Sequence, residues 1–334
     1  MTEYWLSICI ATYNRGKSIY DKVQALLTLK IPGVQIVVSD NASTDDTVFW
    51  LKSITDRHFK LNINKQNMGP TYNYVNALKQ GDGEYLLFMT DKDTMNPNFL
   101  LQLKDLVETN KLSTGYVALN CGLSENRINV WERGKTALIH AAYLSKHPTG
   151  YFYKREFFKK IDDIARFETV DTVGYFPFEF LCAELCCMGS AGEIKLPLFT
   201  TEKLESRGEK SLTYSADDSN LFFDPKNRYE LMAKCMRHLN TLPLKDKEYE
   251  QIRRVLYKRY WFLAVTMYPE YKKNKLLCEH YNMERKEFSG SERIAIAKEF
   301  KDKYAQEFGT DKSYKIWSVY QICKLRVKCL IKKI

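Results

Sequence analysis

The first hundred residues alternate between two hydrophobic rhythms. "WLSICIA" (5–11), "VQIVVS" (34–39), "KLNIN" (60–64) and "YLLFMT" (85–90) are short apolar or β-branched runs, and each reads as a strand. Stretches of helical period separate them. Ser18 caps one that runs to about residue 30. Ser43 and Thr44, followed by Asp45 and Asp46, supply a cap and first-turn acids for a second. Gly69-Pro70 opens a third. Asn96-Pro97 then places a cap and a first-turn proline ahead of "NFLLQLKDLVE". Strands alternating with helices of this length predict βαβ units, hence an α/β fold with a mainly parallel sheet and right-handed crossovers. In such sheets ligands bind beyond the carboxyl ends of the strands. Thr12-Tyr13-Asn14, Asp40-Asn41 and Asp91-Lys92-Asp93 all fall at that edge.

Beyond residue 113 the pattern is mixed. "GYFYKREFFKKI" (150–161) reads as a strand running into a helix. "PFEFLCAELCCMGSAGEIKLPL" (177–198) reads as a helix ending near Gly189 or Gly192, then a strand. From residue 227 helical signals dominate, with Pro243 and Pro269 as expected breaks. The expected division is a domain over 1–224, in halves 1–98 and 99–224, followed by a basic helical region over 225–334.

Composition narrows the class. The chain has 334 residues, 45% hydrophobic and 28% charged, which indicates a globular protein. Uncharged runs such as 112–124 and 260–269 fall short of the roughly 20 apolar residues of a membrane span. The opening "MTEYWLSICIATYNR" lacks a basic start and already alternates like a strand, so no signal peptide is expected. Nine cysteines with no regular spacing read as reduced thiols, and Cys182, Cys186 and Cys187 as part of a buried helix face. Charge is divided unevenly. Residues 226–334 carry 26 Lys and Arg against 13 Asp and Glu, whereas residues 1–225 carry 25 against 28. The acidic-leaning part and the basic part read as two different jobs.

The apolar run 85–90 ends in two carboxylates flanking Lys92. Two carboxylates one residue apart after a buried strand form a small oxygen-rich pocket of the kind Mg2+ and Mn2+ prefer, often with substrate phosphates as further ligands. The motifs around it, "SICIATYNRGKSI", "IVVSDNASTDDT" and "NKQNMGPTYNYVNALKQGDGEYLLFMTDKD", with "GYFYKREFF" and "FEFLCAELCCMGSAGEIKLPL" behind them, resemble those of family 2 glycosyltransferases with the GT-A fold, in the family's order and spacing. The resemblance is strongest over residues 3–98, extends to about residue 200, and does not cover the C-terminal third. It implies a nucleotide-sugar site in which Ala11, Thr12, Tyr13 and Arg15 surround the base and Asp40 hydrogen-bonds it. Lys65 and Asn67 approach the base or the pyrophosphate. Asp91 and Asp93 form the D-x-D, with Asp93 the direct ligand of Mn2+ or Mg2+ and Asp91 reaching ribose or metal. Lys92 departs from the usual acidic or small middle residue.

An inverting transferase also needs a base for the acceptor hydroxyl. The family keeps an acidic pair roughly a dozen residues before a glycine and a strand. Counting back from Gly192 reaches Glu179, followed by Phe180 where the second acid would stand. Glu179 is therefore the implied base, with Glu184 and then Asp171 behind it. His140 and His147 are further candidate metal ligands, weighed against surface or packing roles. G-x-G-x-x-G, G-x-x-x-x-G-K-[ST], G-x-S-x-G and H-E-x-x-H are all absent from the sequence.

In "SYKIWSVYQICKLRVKCLIKKI" (313–334), Ile316, Tyr320, Cys323, Val327, Leu330 and Ile334 recur at helical spacing, with Trp317 and Ile331 widening the stripe. Six Lys and Arg and no acid fill the remainder. That pattern reads either as a membrane-surface helix or as a helix packed on its own protein or a partner subunit. No recognised nucleic-acid module is present, and nucleic acid is not expected as a partner. The resulting expectation is a metal-dependent inverting glycosyltransferase of capsule or O-antigen type, moving a sugar from a nucleotide-sugar donor, a UDP-sugar, to a glycan or lipid-linked glycan. It would work in the cytoplasm or on the inner face of the membrane. Its rivals are a sugar-phosphate nucleotidyltransferase and a glycan-binding scaffold without turnover.

Overall fold

The computed structural model describes residues 3–201, 222–281, 283–309 and 312–331. The chain forms two compact units, one built from the N-terminal elements with residues 241–245, the other from the helices that follow residue 222. In the first unit the order is β1 (Leu6–Thr12), α1 (Lys17–Thr28), β2 (Val34–Asp40), α2 (Thr47–Lys52), β3 (Phe59–Ile63), α3 (Pro70–Lys79), β4 (Tyr85–Thr90), β5 (Thr94–Met95) and α4 (Leu100–Thr109). There follow β6 (Leu112–Leu119), β7 (Arg127–Trp131), α5 (Lys135–Ala141), β8 (Tyr151–Lys154), α6 (Arg155–Phe158), α7 (Val170–Val173), α8 (Pro177–Cys186) and β9 (Ser190–Thr200).

The sheet runs β3-β2-β1-β4-β8-β6-β9-β5, with β7 also pairing β9. Its first four strands are parallel, as the alternating pattern predicts. Beyond β4 the sheet is mixed: β8 is antiparallel to both β4 and β6, and β9 runs parallel to β6. The short β8, entered from a loop rather than a crossover helix, is what reverses the direction. Every residue of β1 and β2 is buried, as expected for central strands covered on both faces. Leu6, Ile8 and Ile10 meet Ile19, Val23, Leu26 and Leu27 of α1, whose spacing is one helical stripe. The register sets Thr12 opposite Asp40 and Ala11 opposite Thr90, so the carboxyl ends of β1, β2 and β4 finish level.

Three local expectations are corrected in detail. α1 begins after Gly16 rather than at a Ser18 cap, and α2 begins only at Thr47, because Ser43 is bound to Asp40 instead of capping a helix. α8 ends at Cys186, short of Gly189, because β9 already begins at Ser190, and it is buried on every side, which is why its sequence lacks a polar stripe.

The second unit comprises α9 (Pro225–Leu239), α10 (Asp246–Phe262), α11 (Tyr268–Lys273), α12 (Lys275–His280), α13 (Gly290–Phe308) and α14 (Lys312–Ile331). Pro269 does not break the chain's course as expected. A π-helical turn, Leu263–Met267, joins α10 to α11, and Pro269 stands in the first turn after it, where a missing N–H costs little. The core of this unit is aromatic: Tyr257 touches the rings of Tyr304, Tyr314 and Trp317, and the Arg253 guanidinium lies over Tyr304 and Tyr314.

Gly150, at the turn into β8, has φ +104°, and a Cβ there would stand 2.3 Å from the carbonyl oxygen of Val117. Gly150→Ala is expected to cost at least about 2 kcal/mol in chemical denaturation, since strain and a backbone clash add. A midpoint unchanged from the parent would contradict the turn geometry.

Candidate active site

The site is built at the level carboxyl ends of β1, β2 and β4. Thr12 Oγ donates to Asp91 Oδ2 at 3.1 Å, and Arg15 grips the same carboxylate with Nε at 2.9 Å and Nη2 at 3.3 Å. Arg15 reaches it from a loop stitched to its neighbour: the amides of Arg15 and Gly16 donate to Thr47 Oγ, and Asn14 N donates to Ser43 Oγ. Asn14 takes a left-handed conformation, one that asparagine tolerates.

Asp93 is fully buried. Its Oδ2 accepts from Thr90 Oγ at 2.7 Å and from Thr149 Oγ, and lies 3.5 Å from His147 Nδ1. Its Oδ1 has no hydrogen-bond partner among the described residues. A buried carboxylate oxygen without a donor is costly unless something positive meets it. The D-K-D turn is fixed from behind by Lys22 of α1, whose ammonium donates to the carbonyls of Asp91 and, at 2.6 Å, Asp93.

A divalent cation fits this arrangement at Asp93 Oδ1. The rest of the donor set is thin. Both oxygens of Asp91 are engaged, and no group of three or more His, Cys, Asp and Glu gathers among the described residues. Such a cation would be held by one protein carboxylate with substrate phosphates and water, the mode in which Mg2+ is commonly bound. His147 is beside Asp93, whereas His140 stacks on Trp131 with ring centroids 5.3 Å apart.

The other expected residues distribute as follows. Ala11 is buried at the end of β1 and Tyr13 is half-buried. Asp40 is buried and accepts from the backbone and hydroxyl of Ser43. Asn67 accepts from Asn41 Nδ2 at 2.8 Å and from the Gly69 amide at 2.9 Å, and Lys65 is exposed. Behind them Asn73 donates to the carbonyls of Thr12 and Ser39, tying α3 to the ends of β1 and β2.

Glu179 meets surroundings its sequence did not indicate. It is 1% exposed, and its two oxygens accept from Leu144 N at 2.7 Å, Lys146 N at 2.8 Å and Tyr151 Oη at 2.6 Å. Burial pushes its pKa up, against the pull of those three donors. The segment it holds contains Tyr143 and Ser145 in left-handed conformations and ends at Thr149, the donor to Asp93. A carboxylate so enclosed has both oxygens engaged by groups of this loop and of β8, an arrangement suited to holding the loop. Glu184 is paired with Arg166, and Asp171 is exposed on α7. Lys22, Thr90 and Thr149 are the residues sequence reasoning missed. Lys22 has the spacing of an ordinary helix surface, and Thr149 lies 56 residues from its partner.

A half-parallel sheet carrying a D-x-D turn at its carboxyl edge, continued by mixed strands, is the GT-A type of fold. Residues 7–168 match the model of Glycosyl transferase family 2, and that segment is a domain of this family. It is similar to an uncharacterized glycosyltransferase of Mycoplasma pneumoniae, the MG060 homolog, at 27% identity over 47% of this chain and 56% of the relative. It is also similar to the GalNAc(5)-diNAcBac-PP-undecaprenol beta-1,3-glucosyltransferase of Campylobacter jejuni, at 29% identity over 27% of this chain and 30% of the relative. The chain thus spans between 30% and 56% of the length of these curated relatives. Among solved structures, S. aureus TarS 1-349 shares the fold with a TM-score of 0.59 and 16% identity, over 95% of this chain and 91% of that one. Its complex with UDP-GlcNAc aligns with a TM-score of 0.56 and 18% identity, over 89% and 80%.

Two substitutions separate holding from chemistry. Lys22→Met keeps the stem and removes two charge-assisted bonds to the turn, each worth about 1.5–3 kcal/mol. Calorimetry should find weaker Mn2+-dependent binding of UDP together with a fall in Tm of several degrees; unchanged binding would remove Lys22 from the site. Glu179→Gln places an NH2 against at least one of three donors. If Glu179 holds the loop, Tm, cation-dependent UDP binding and kcat should fall together. A fall of two to four orders of magnitude in kcat alone would return Glu179 to the role of base.

Proposed function

We propose that this protein transfers a sugar from a UDP-linked donor to a hydroxyl of a lipid-linked glycan in cell-surface polysaccharide synthesis. The observation that carries the reading is the buried Oδ1 of Asp93, without a hydrogen-bond partner among the described residues, in a D-x-D turn beside Arg15. TarS, which shares the fold, has been crystallised with UDP-GlcNAc and with UDP, and the C. jejuni relative is named for an undecaprenol-linked substrate. Both features come to this chain as part of the proposal.

In an inverting transfer the acceptor oxygen bonds to the anomeric carbon, the bond from that carbon to the diphosphate oxygen breaks, and the acceptor proton passes to a base. A bound Mn2+ or Mg2+ supplies Lewis-acid neutralisation of the departing diphosphate. Asp93 Oδ1 would hold that ion, fixed by Thr90 and Thr149 on the carboxylate's other oxygen. Asp91 and Arg15, locked together before the donor arrives, would part so that Asp91 faces ribose or metal and Arg15 the nucleotide. Thr12, Tyr13, Asp40, Lys65 and Asn67 line the nucleotide side in this reading. Glu179 acts through the loop it anchors, as a positioning residue. No helix among the described residues is long and apolar enough to cross a membrane. In this reading a lipid-linked acceptor is met by a peripheral contact with the membrane face.

Asp93→Asn tests the reading. Release of UDP from UDP-sugars in Mn2+ should fall by at least about a hundredfold, as for loss of a principal electrostatic stabiliser, while Tm stays close to the parent's. Full activity in the variant removes Asp93 from the site. Pyrophosphate release from a nucleoside triphosphate and a sugar phosphate would instead indicate a nucleotidyltransferase. Binding of glycans without any UDP release would indicate a scaffold.

A further inference from the structure

α14 packs into the second unit by one face. Tyr314, Ser318 and Ile322 are buried: Ser318 Oγ is 2.7 Å from Tyr257 Oη, and Trp317, half-buried, stands edge-on to Trp261 with centroids 5.3 Å apart. At about 3.6 residues per turn, the opposite face of the helix carries Ile316, Val319, Tyr320, Cys323 and Val327. That is most of the stripe singled out in the sequence, and it is not the packed one. Ile316 is 69% exposed, Tyr320 61%, Val327 53% and Val319 45%, and Cys323 is exposed. Ile334 lies outside the described residues. The same helical geometry sets Lys324 and Lys328 along one border of the stripe and Lys315 and Arg326 along the other, with no acid anywhere in α14.

An apolar stripe of this length left in water needs a partner. The borders say which kind. A second copy docking by the same face would bring like-charged rows together, a repulsive arrangement in any two-fold pairing. A lipid surface bearing anionic headgroups meets both features at once, since the apolar side chains enter the acyl boundary while Lys and Arg remain at headgroup level. We infer that the outward face of α14, from Ile316 to Val327, is an anionic-membrane docking surface, and that the opposite face fixes it to the protein. The inference supplies the surface for the lipid-linked acceptor of the proposed function and rests on that reading only for its purpose. Its geometry stands without it.

The test uses the full chain and vesicles of phosphatidylcholine with or without phosphatidylglycerol. Co-sedimentation should be strong with phosphatidylglycerol, weak without it, and reduced on raising salt from about 0.1 M to about 0.5 M. Ile316→Ser combined with Tyr320→Ser and Val327→Ser should weaken binding by roughly tenfold or more, as should Lys315, Lys324, Arg326 and Lys328 each changed to Gln. Neither set touches the packed face, so Tm and UDP release in solution should hold. Indifference of the parent protein to anionic vesicles overturns the inference, as does binding that neither set weakens. So does a dimer abolished by the serine variant, which would make a second copy the occupant, or nucleic-acid binding abolished by the glutamine variant in place of vesicle binding. UDP release is read without vesicles, so a failure here leaves the transferase reading standing, and a failure there leaves this one.

Discussion

One carboxylate governs the arrangement of the site. Asp93 is buried with one oxygen satisfied and the other bare. Desolvating a charged oxygen without a partner costs free energy, so the surrounding structure must impose it. The imposition comes from elements remote in sequence. Thr90 closes the turn locally, Lys22 of α1 binds the carbonyls of Asp91 and Asp93, and Thr149 arrives on the loop before β8. Thr90 and Thr149 together satisfy Oδ2 and leave Oδ1 as the carboxylate's one oxygen without a partner among the described residues. The rigidity of that oxygen is set by packing, not by the turn alone.

The loop that brings Thr149 is itself held under constraint. Tyr143 and Ser145 occupy left-handed backbone conformations that side chains larger than glycine seldom take. Glu179, on a helix with no exposed face, binds the amides of Leu144 and Lys146 that this backbone presents. Tyr151 closes the same carboxylate from β8. A chain of hydrogen bonds therefore runs from the interior of α8 through residues 144–149 to Asp93. Two buried acids lie at its ends, Glu179 with both oxygens engaged and Asp93 with one oxygen unpartnered among the described residues. Gly150 permits the junction, since no side chain fits beneath the Val117 carbonyl.

The legible part of this protein was the part whose signal is local. The strands ending at Thr12, Asp40 and Thr90 have apolar or β-branched runs, and the parallel register that aligns them follows from βαβ order. The D-x-D was visible because a buried strand stopped at two acids. Partners distant in sequence were not visible. Lys22 has the spacing of any solvated lysine on an amphipathic helix. The donors to Glu179 are backbone amides, which leave no trace in composition. Pro269 looked like a break because a π-turn has no sequence signature strong enough to forecast it. In α14 the periodicity was legible, and whether that stripe faces the protein or the outside was left open by the sequence. The helix carries two usable stripes, and Tyr314, Ser318 and Ile322, anchored by the aromatic cluster around Tyr257, are the ones that pack.

Charge completes the account of the D-K-D turn. Lys92 looked out of place between two acids meant for a cation. The structure adds two more positive groups, Arg15 on the Asp91 carboxylate and Lys22 on the turn's carbonyls. Two carboxylates are thus accompanied by three cationic side chains within one loop and its immediate neighbours. On the proposed reading, a leaving diphosphate at this edge would meet those cationic groups as well as any metal, since guanidinium and ammonium groups both bind phosphate oxygens well. A cation held at Asp93 would then carry a smaller share of the neutralisation than at a site whose carboxylates stand alone. Lys92 is consistent with such a site: it belongs to a turn whose immediate neighbours are cationic and in which one carboxylate oxygen has no partner among the described residues.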